Sequence, residues 1–208
     1  MKQRQKKATA RQPPTSNVAK RKGITSQLRI IGGQWRSRRL PVAPIAGLRP
    51  TPDRVRETLF NWLQFKVPGA RCLDLFAGSG ALGFEALSRE AAQVVMVEKH
   101  PVAFAQLQAN VAILRAQQAE LINRDALLYL QAVAEPFDVI FLDPPFHQGF
   151  VDPVLNRIMQ QGWLKMAGLI YLEHEAGLAP DFSRWSLQPR RETKAGQVVS
   201  VLLERTES

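Results

Sequence analysis

From Ala70 onward, short apolar blocks alternate with stretches of helical spacing. The blocks Arg71 to Phe76, Gln93 to Glu98, Glu120 to Asn123, Phe137 to Leu142 and Leu169 to His174 have the length and composition of buried strands. Helices are expected between them, over Ala81 to Arg89, Pro101 to Leu114, Ala126 to Ala132 and Val151 to Gln161. Such alternation argues an α/β fold with a parallel, doubly wound sheet and right-handed crossovers. The last two blocks, Trp185 to Thr193 and Gln197 to Glu204, are joined by Lys194-Ala-Gly196 and must pair as a hairpin, so one late strand runs antiparallel.

Upstream the pattern changes. Leu28 to Leu40 gives two short alternating stretches around Gly32-Gly33, which predicts a β-hairpin. A helix follows, with Val55, Leu59, Phe60, Trp62 and Leu63 as its apolar stripe, Thr51 or Asp53 as its cap and Pro52 in its first turn. Arg54 and Arg56 fall to its polar remainder, with Arg49 just ahead of it. The chain therefore divides into a flexible tail over 1–26, a hairpin and helix over 27–66, and an α/β domain over 67–208.

Charge sharpens that division. The 208 residues carry a net +10, yet residues 1–56 hold 15 of the 28 Lys and Arg and a single acid, Asp53. This N-terminal part carries +14 and the remainder −4, an asymmetry that suggests a polyanionic partner met by the N-terminal part. Arg36, Arg38 and Arg39 flank Trp35, so the hairpin can grip phosphates and stack on a base; the competing reading has Trp35, Ile30 and Leu40 packing as a small apolar core. Met1 to Lys22 has too few large apolar residues for an amphipathic targeting helix and reads as a flexible basic arm. The lone Cys72 precludes a disulfide within the chain and fits a reducing compartment. No apolar run approaches the roughly 18 residues of a membrane span.

Candidate chemistry sits at two strand ends. After the first strand, Gly78, Gly80 and Gly83 follow the G-x-G-x-x-G spacing, where residues without Cβ let the backbone approach a nucleotide-bearing ligand. Asp74, four residues before the first glycine, would repel a diphosphate and suits a cationic ligand. After the fourth strand, Asp143-Pro144-Pro145-Phe146 forms a rigid loop. The Asp143 carboxylate and the Pro144 carbonyl can take the two hydrogens of a planar amine, and Phe146 can stack on the ring that bears it. Glu98, ending the second strand, is placed to hold both hydroxyls of a ribose, and Asp125, ending the third, is a helix N-cap, a cofactor contact, or both. His100, His147 and His174 have no ligand-like spacing, and no metal is expected.

Asp74-Leu-Phe-Ala-Gly-Ser-Gly80 resembles motif I of the S-adenosyl-L-methionine-dependent methyltransferases, and the D-P-P-F loop resembles motif IV of those acting on exocyclic or amide nitrogens. Over residues 28–205 the chain is similar to the RsmD family of bacterial 16S ribosomal RNA guanine-N2 methyltransferases, which modify the guanine at position 966. The pieces that carry this are Arg29-Ile-Ile-Gly-Gly33 with Arg36, Arg38, Arg39 and Leu40; Arg49-Pro-Thr51 with Asp53-Arg-Val-Arg-Glu57 and Leu59-Phe60-Asn61; Glu98; Asp125; and Phe141 to Phe146.

The resemblance implies a Rossmann-like class I methyltransferase with a seven-stranded sheet. It implies cofactor contacts at Thr51, Asp74, Phe76, Ala77, Gly78, Ser79, Gly80, Glu98, Lys99, Asp125 and Ala126. Catalysis falls to Asp143, Pro144, Pro145 and Phe146, and RNA binding to Arg36, Arg38, Arg39, Arg49, Arg54 and Arg56. The implied protein is a cytoplasmic monomer whose partner is 16S rRNA in the 30S subunit or its assembly intermediate.

Three alternatives stand beside it. A DNA adenine or cytosine amino-methyltransferase shares both motifs but usually carries a separate target-recognition region, for which this chain has little room. A release-factor glutamine methyltransferase would more naturally read N-P-P-Y. A non-catalytic RNA-binding or assembly factor would not need acids at 74, 98 and 143.

Overall fold

The computed structural model describes residues 26–48 and 50–206. The expected basic arm before Ser26, and Arg49, lie outside the described residues. Strand β1 (Gln27–Arg29) pairs antiparallel with β2 (Arg39–Pro41), Leu28 opposite Leu40, and both leucines are buried. The connection is not the tight turn expected at Gly32-Gly33. The chain instead makes a 3-10 turn, Gly33–Trp35, and passes through Ser37 in the left-handed region. Its backbone donors are drawn to a helix further along the chain, with the Ile31 and Gly32 amides on the Glu85 carboxylate and the Trp35 amide on Ser88 Oγ. Gly33, at φ +73°, lies so close to that helix that a Cβ would fall 1.7 Å from the Ser88 carbonyl oxygen.

Helix α1 (Asp53–Trp62) buries Leu59 and Phe60, and the Phe60 ring lies 5.9 Å from that of Phe141. Neither Thr51 nor Asp53 caps it. Pro52 occupies the N-cap without a side-chain bond, because the Asp53 carboxylate is held by Arg29 and Arg56.

The α/β part runs β3 (Arg71–Asp74), α2 (Ala81–Ser88), β4 (Gln93–Val97), α3 (Pro101–Leu114), β5 (Ala119–Ile122), α4 (Ala126–Tyr129), β6 (Phe137–Leu142), α5 (Val151–Gln161), β7 (Leu164–Glu175), β8 (Leu187–Ala195) and β9 (Val198–Arg205). These strands form one seven-stranded sheet in the order β5-β4-β3-β6-β7-β9-β8, in which β9 alone runs against both of its neighbours. The expected class I architecture with its antiparallel finish is present. Strand β7 begins five residues earlier than its apolar pattern suggests: Leu164 pairs with Phe137, the exposed run Lys165 to Ala167 breaks the register, and pairing resumes at Leu169.

The period-two pattern of the strands sorts the core into two layers. Cys72, Val94, Met96, Val139, Phe141 and Tyr171 face the hairpin, α1, α2 and α3. Leu73, Val95, Val97, Ile140, Leu142 and Leu172 face the layer of α4 and α5. The hairpin and α1 share the first of these layers, so the division near residue 66 separates stretches of chain and not separate cores. Neighbouring strands β3 and β6 send their following helices, α2 and α5, to opposite faces, which opens a crevice beyond their carboxyl ends.

Candidate active site

That crevice is a cavity of about 760 Å³, within the size range of small-molecule sites. Its floor is the turn after β3. Phe76, Ala77, Gly78 and Ser79 line it, while Gly80, which N-caps α2 in the left-handed region, lies behind the wall. At Gly83 the helix passes so close to the sheet that a Cβ would fall 2.5 Å from Met96 Sδ, and its amide donates to Asp74 Oδ2 at 2.9 Å. Asp74 thus holds the start of α2 on the sheet while also lining the cavity.

Opposite stands the loop after β6, with Asp143, Pro144, Pro145 and Phe146 all in the wall. Pro144 is buried and Phe146 half-buried. Neither oxygen of the Asp143 carboxylate has a hydrogen-bond donor among the described residues. Burial pushes its pKa well above the ordinary carboxylate range, and the charges of Glu173 and then Asp74 push it the same way. Asp74 is pushed up to about 7 by burial, against the pull of the Gly83 amide and with Glu98 adding to the rise.

The remaining wall comes from the second and third strand ends and from the segment before α1. Glu98 accepts from the Gly78 amide through Oε2 at 2.8 Å and from the His100 amide through Oε1 at 2.6 Å, which ties the glycine turn to the end of β4. Lys99 lies beside it. Asp125 caps α4, its Oδ1 accepting from the Leu127 and Leu128 amides, and its Oδ2 has no partner among the described residues. Ala126 and Thr51 complete the cavity.

Of the arginines assigned to RNA, Arg36, Arg38, Arg39 and Arg54 are exposed, with Arg38 also donating to the Ile113 carbonyl. Arg56 is corrected. It is 1% exposed, and its guanidinium donates to Asp53, Glu85 and the carbonyls of Thr51 and Arg29, so no face of it is left for a phosphate. Trp35 is also buried, packing in the core of the hairpin.

Glu173 is absent from the residues that the sequence motifs single out. It lies at the end of β7, lines the cavity, and is 6% exposed. Burial raises its pKa while the Tyr171 hydroxyl, donating to Oε1 at 2.6 Å, pulls it down. No local signal marks it; the β6–β7 register is what sets it beside Asp143. His147 is exposed and held through its amide by Glu175, and His100 caps α3. Among the described residues no group of three or more His, Cys, Asp or Glu is placed to hold a metal, and no helix is long and apolar enough to cross a membrane.

Five acids, Asp74, Glu98, Asp125, Asp143 and Glu173, line the cavity against two cations, Lys99 and Arg124. Such a set fits a cofactor with a ribose and cationic centres, together with an amine-bearing substrate, and the glycine turn leaves backbone room for the first of them.

Known proteins share this sequence and fold. The profile of the family described as conserved hypothetical protein 95 matches residues 28–204. The chain is 48% identical over 183 residues to ribosomal RNA small subunit methyltransferase D of Escherichia coli strain K12, covering 87% of this chain and 91% of that protein. It is 49% identical over 153 residues to the protein of the same name from Haemophilus influenzae, covering 72% and 79%. A solved Escherichia coli structure, described as a candidate methyltransferase, superposes with a TM-score of 0.80 at 46% identity, over 88% of this chain and all of that one.

Proposed function

The chain belongs to the conserved hypothetical protein 95 family, with the small-subunit ribosomal RNA methyltransferases D among its relatives, and from that premise we propose that it methylates the exocyclic N2 amine of a guanine in 16S ribosomal RNA. By resemblance the guanine is the one at position 966, presented in the small subunit or its assembly intermediate. The cofactor is S-adenosyl-L-methionine.

One observation supports this reading above the others: the unpartnered Asp143 carboxylate at the end of β6 stands across the cavity from the glycine turn at the end of the adjacent β3. Glu98 would hold the ribose hydroxyls, Asp125 and Ala126 the adenine, and the Phe76 to Ser79 turn the rest, with Thr51 closing the near side. When bound, the cofactor supplies a methyl group already activated on a sulfonium. The protein's own contribution is then positioning and electrostatics. Asp143 accepts one hydrogen of the amine and the Pro144 carbonyl the other, which turns the nitrogen lone pair away from conjugation with the ring. Phe146 stacks on that ring. Positive charge developing on nitrogen is stabilised by Asp143, whose raised pKa suits it to receive the proton that the methylated amine loses.

Arg36, Arg38, Arg39 and Arg54 contribute phosphate contacts from the N-terminal side, with Arg49 and the arm over 1–26 adding charge. Labelled methyl transfer to small subunits, free 16S RNA, DNA and protein, followed by nucleoside analysis, tests the whole. The expected product is N2-methylguanosine in 16S RNA; label confined to DNA, to protein or to another nucleoside would overturn it.

A further inference from the structure

We infer that Glu173 reads the N1–H of the target base beside the amine held by Asp143, making it the residue that admits guanine and turns other bases away. The inference rests on the proposed guanine-N2 reaction.

The placement follows from the sheet register. Parallel strands β6 and β7 are paired through Phe141 with Tyr171 and Leu142 with Leu172. The next positions on the two strands are Asp143 and Glu173, so the two carboxylates leave the same sheet face side by side, on strands spaced roughly 4.8 Å apart. Both line the same cavity. Asp74 lines it as well, one strand further over on β3.

Glu173 is held for this task. Its Oε1 accepts from Tyr171, a fully buried hydroxyl whose own pKa burial and Glu173 drive upward, so that it stays a donor. Oε2 has no partner among the described residues. One oxygen of Glu173 is held by Tyr171 and the other opens into the cavity with a second carboxylate beside it, so the pair presents adjacent acceptors to whatever enters. A ligand edge that offers a row of N–H donors matches them.

Guanine offers such an edge. Its N1–H and the two hydrogens of N2 lie in one line, matching Glu173, Asp143 and the Pro144 carbonyl. Adenine has an acceptor at N1 and cytosine one at N3, each of which would set a lone pair against a carboxylate. Uracil has an N–H but no exocyclic amine to methylate.

A substrate that keeps the N2 amine but lacks that hydrogen, and with it the O6 carbonyl, tests the inference when wild type and a Glu173 variant are compared on it. Small subunits reconstituted with 2-aminopurine in place of the methylated guanine keep the N2 amine and carry an acceptor at N1. Wild-type kcat/KM should fall roughly 10- to 100-fold on this substrate, the loss of one charge-assisted hydrogen bond. Glu173→Gln, whose amide can donate to N1, should lose a similar factor on guanine and use 2-aminopurine as well as guanine or better, with its affinity for S-adenosylhomocysteine unchanged. A purely structural role for Glu173 would lower both substrates together and leave their ratio fixed. Equal use of both substrates by the wild type, or a full guanine preference retained in Glu173→Gln, would overturn the inference alone. A wild type that does not methylate guanine N2 at all overturns it together with the proposed function. Should Glu173→Gln fail to fold, Glu173→Ala takes its place: its guanine preference over 2-aminopurine should shrink, and a full preference retained would overturn the inference.

Discussion

Arg56 Nη1 donates to Glu85 Oε2 at 3.3 Å, an ion pair between two side chains that are 1% and 0% exposed. Around it, Glu85 also accepts from the Ile31 and Gly32 amides and from Arg89, while Arg56 reaches Asp53 and the Thr51 carbonyl. A single buried network thus fastens the hairpin, α1 and a cavity-lining residue to α2, the helix that starts at the glycine turn. The N-terminal segment is anchored by charge as well as by its shared apolar layer.

Removing one partner of such a pair leaves the other buried and uncompensated. Arg56→Ala or Glu85→Ala should therefore destabilise the protein by about 3–5 kcal/mol, seen as a lower midpoint in urea denaturation. A midpoint unchanged in both variants would show that the network contributes nothing to holding the segment.

The Asp74 pKa of about 7 makes a pH prediction. Its folded value lies above the ordinary 3.8, so the native state binds a proton that the unfolded chain has released. The stability from this group is complete below about pH 4 and is lost as pH rises through 7. Asp143 and Glu173 are shifted in the same direction. Asp74→Asn should thus show a flatter fall in stability than the ligand-free wild type between pH 4 and 7, by denaturant titration at several pH values. Parallel profiles would contradict the assignment of a buried, protonated Asp74.

Glu98→Ala should weaken S-adenosylhomocysteine binding roughly 10- to 150-fold, the worth of a charge-assisted hydrogen bond. The same change frees the Gly78 and His100 amides, so the glycine turn should loosen with it. Calorimetric titration gives the affinity, and an unchanged value in a folded variant would remove Glu98 from the cofactor site.

The exposed hairpin arginines should act on RNA and not on the cofactor. Reversing Arg36, Arg38 and Arg39 to Glu should weaken binding to the small subunit and reduce the slope of log K against log salt by about 0.7–0.9 for each phosphate that is no longer neutralised. Cofactor affinity should stay as in the wild type. A triple variant with the wild-type slope would exclude the hairpin as the RNA platform.

Much of this is legible in the chain because local signals and tertiary structure agree. The alternation of strands and helices, the glycine turn and the D-P-P-F loop each sit where the sheet needs them, and α3, α5 and β6 match their apolar patterns residue for residue. The differences arise where a polar residue serves the interior. Arg56 resembles the solvated arginines in sequence, although its spacing to Leu59, Phe60 and Leu63 puts it on the buried stripe of α1. Glu173 looks like an ordinary acid near a strand end, since no local pattern says that Asp143 would emerge beside it on the neighbouring strand. The tight hairpin turn gives way because its amides have better acceptors on α2, 53 and 54 positions away.

The proposed reaction stands or falls on whether Asp143 grips the substrate amine and leaves the cofactor to other residues. Single-turnover transfer of labelled methyl from S-adenosyl-L-methionine to small subunits, run for wild type and Asp143→Ala beside calorimetric titration with S-adenosylhomocysteine, decides it. Transfer should be abolished in the variant while cofactor affinity stays within a few fold of wild type; near-normal transfer in Asp143→Ala would contradict the proposed role.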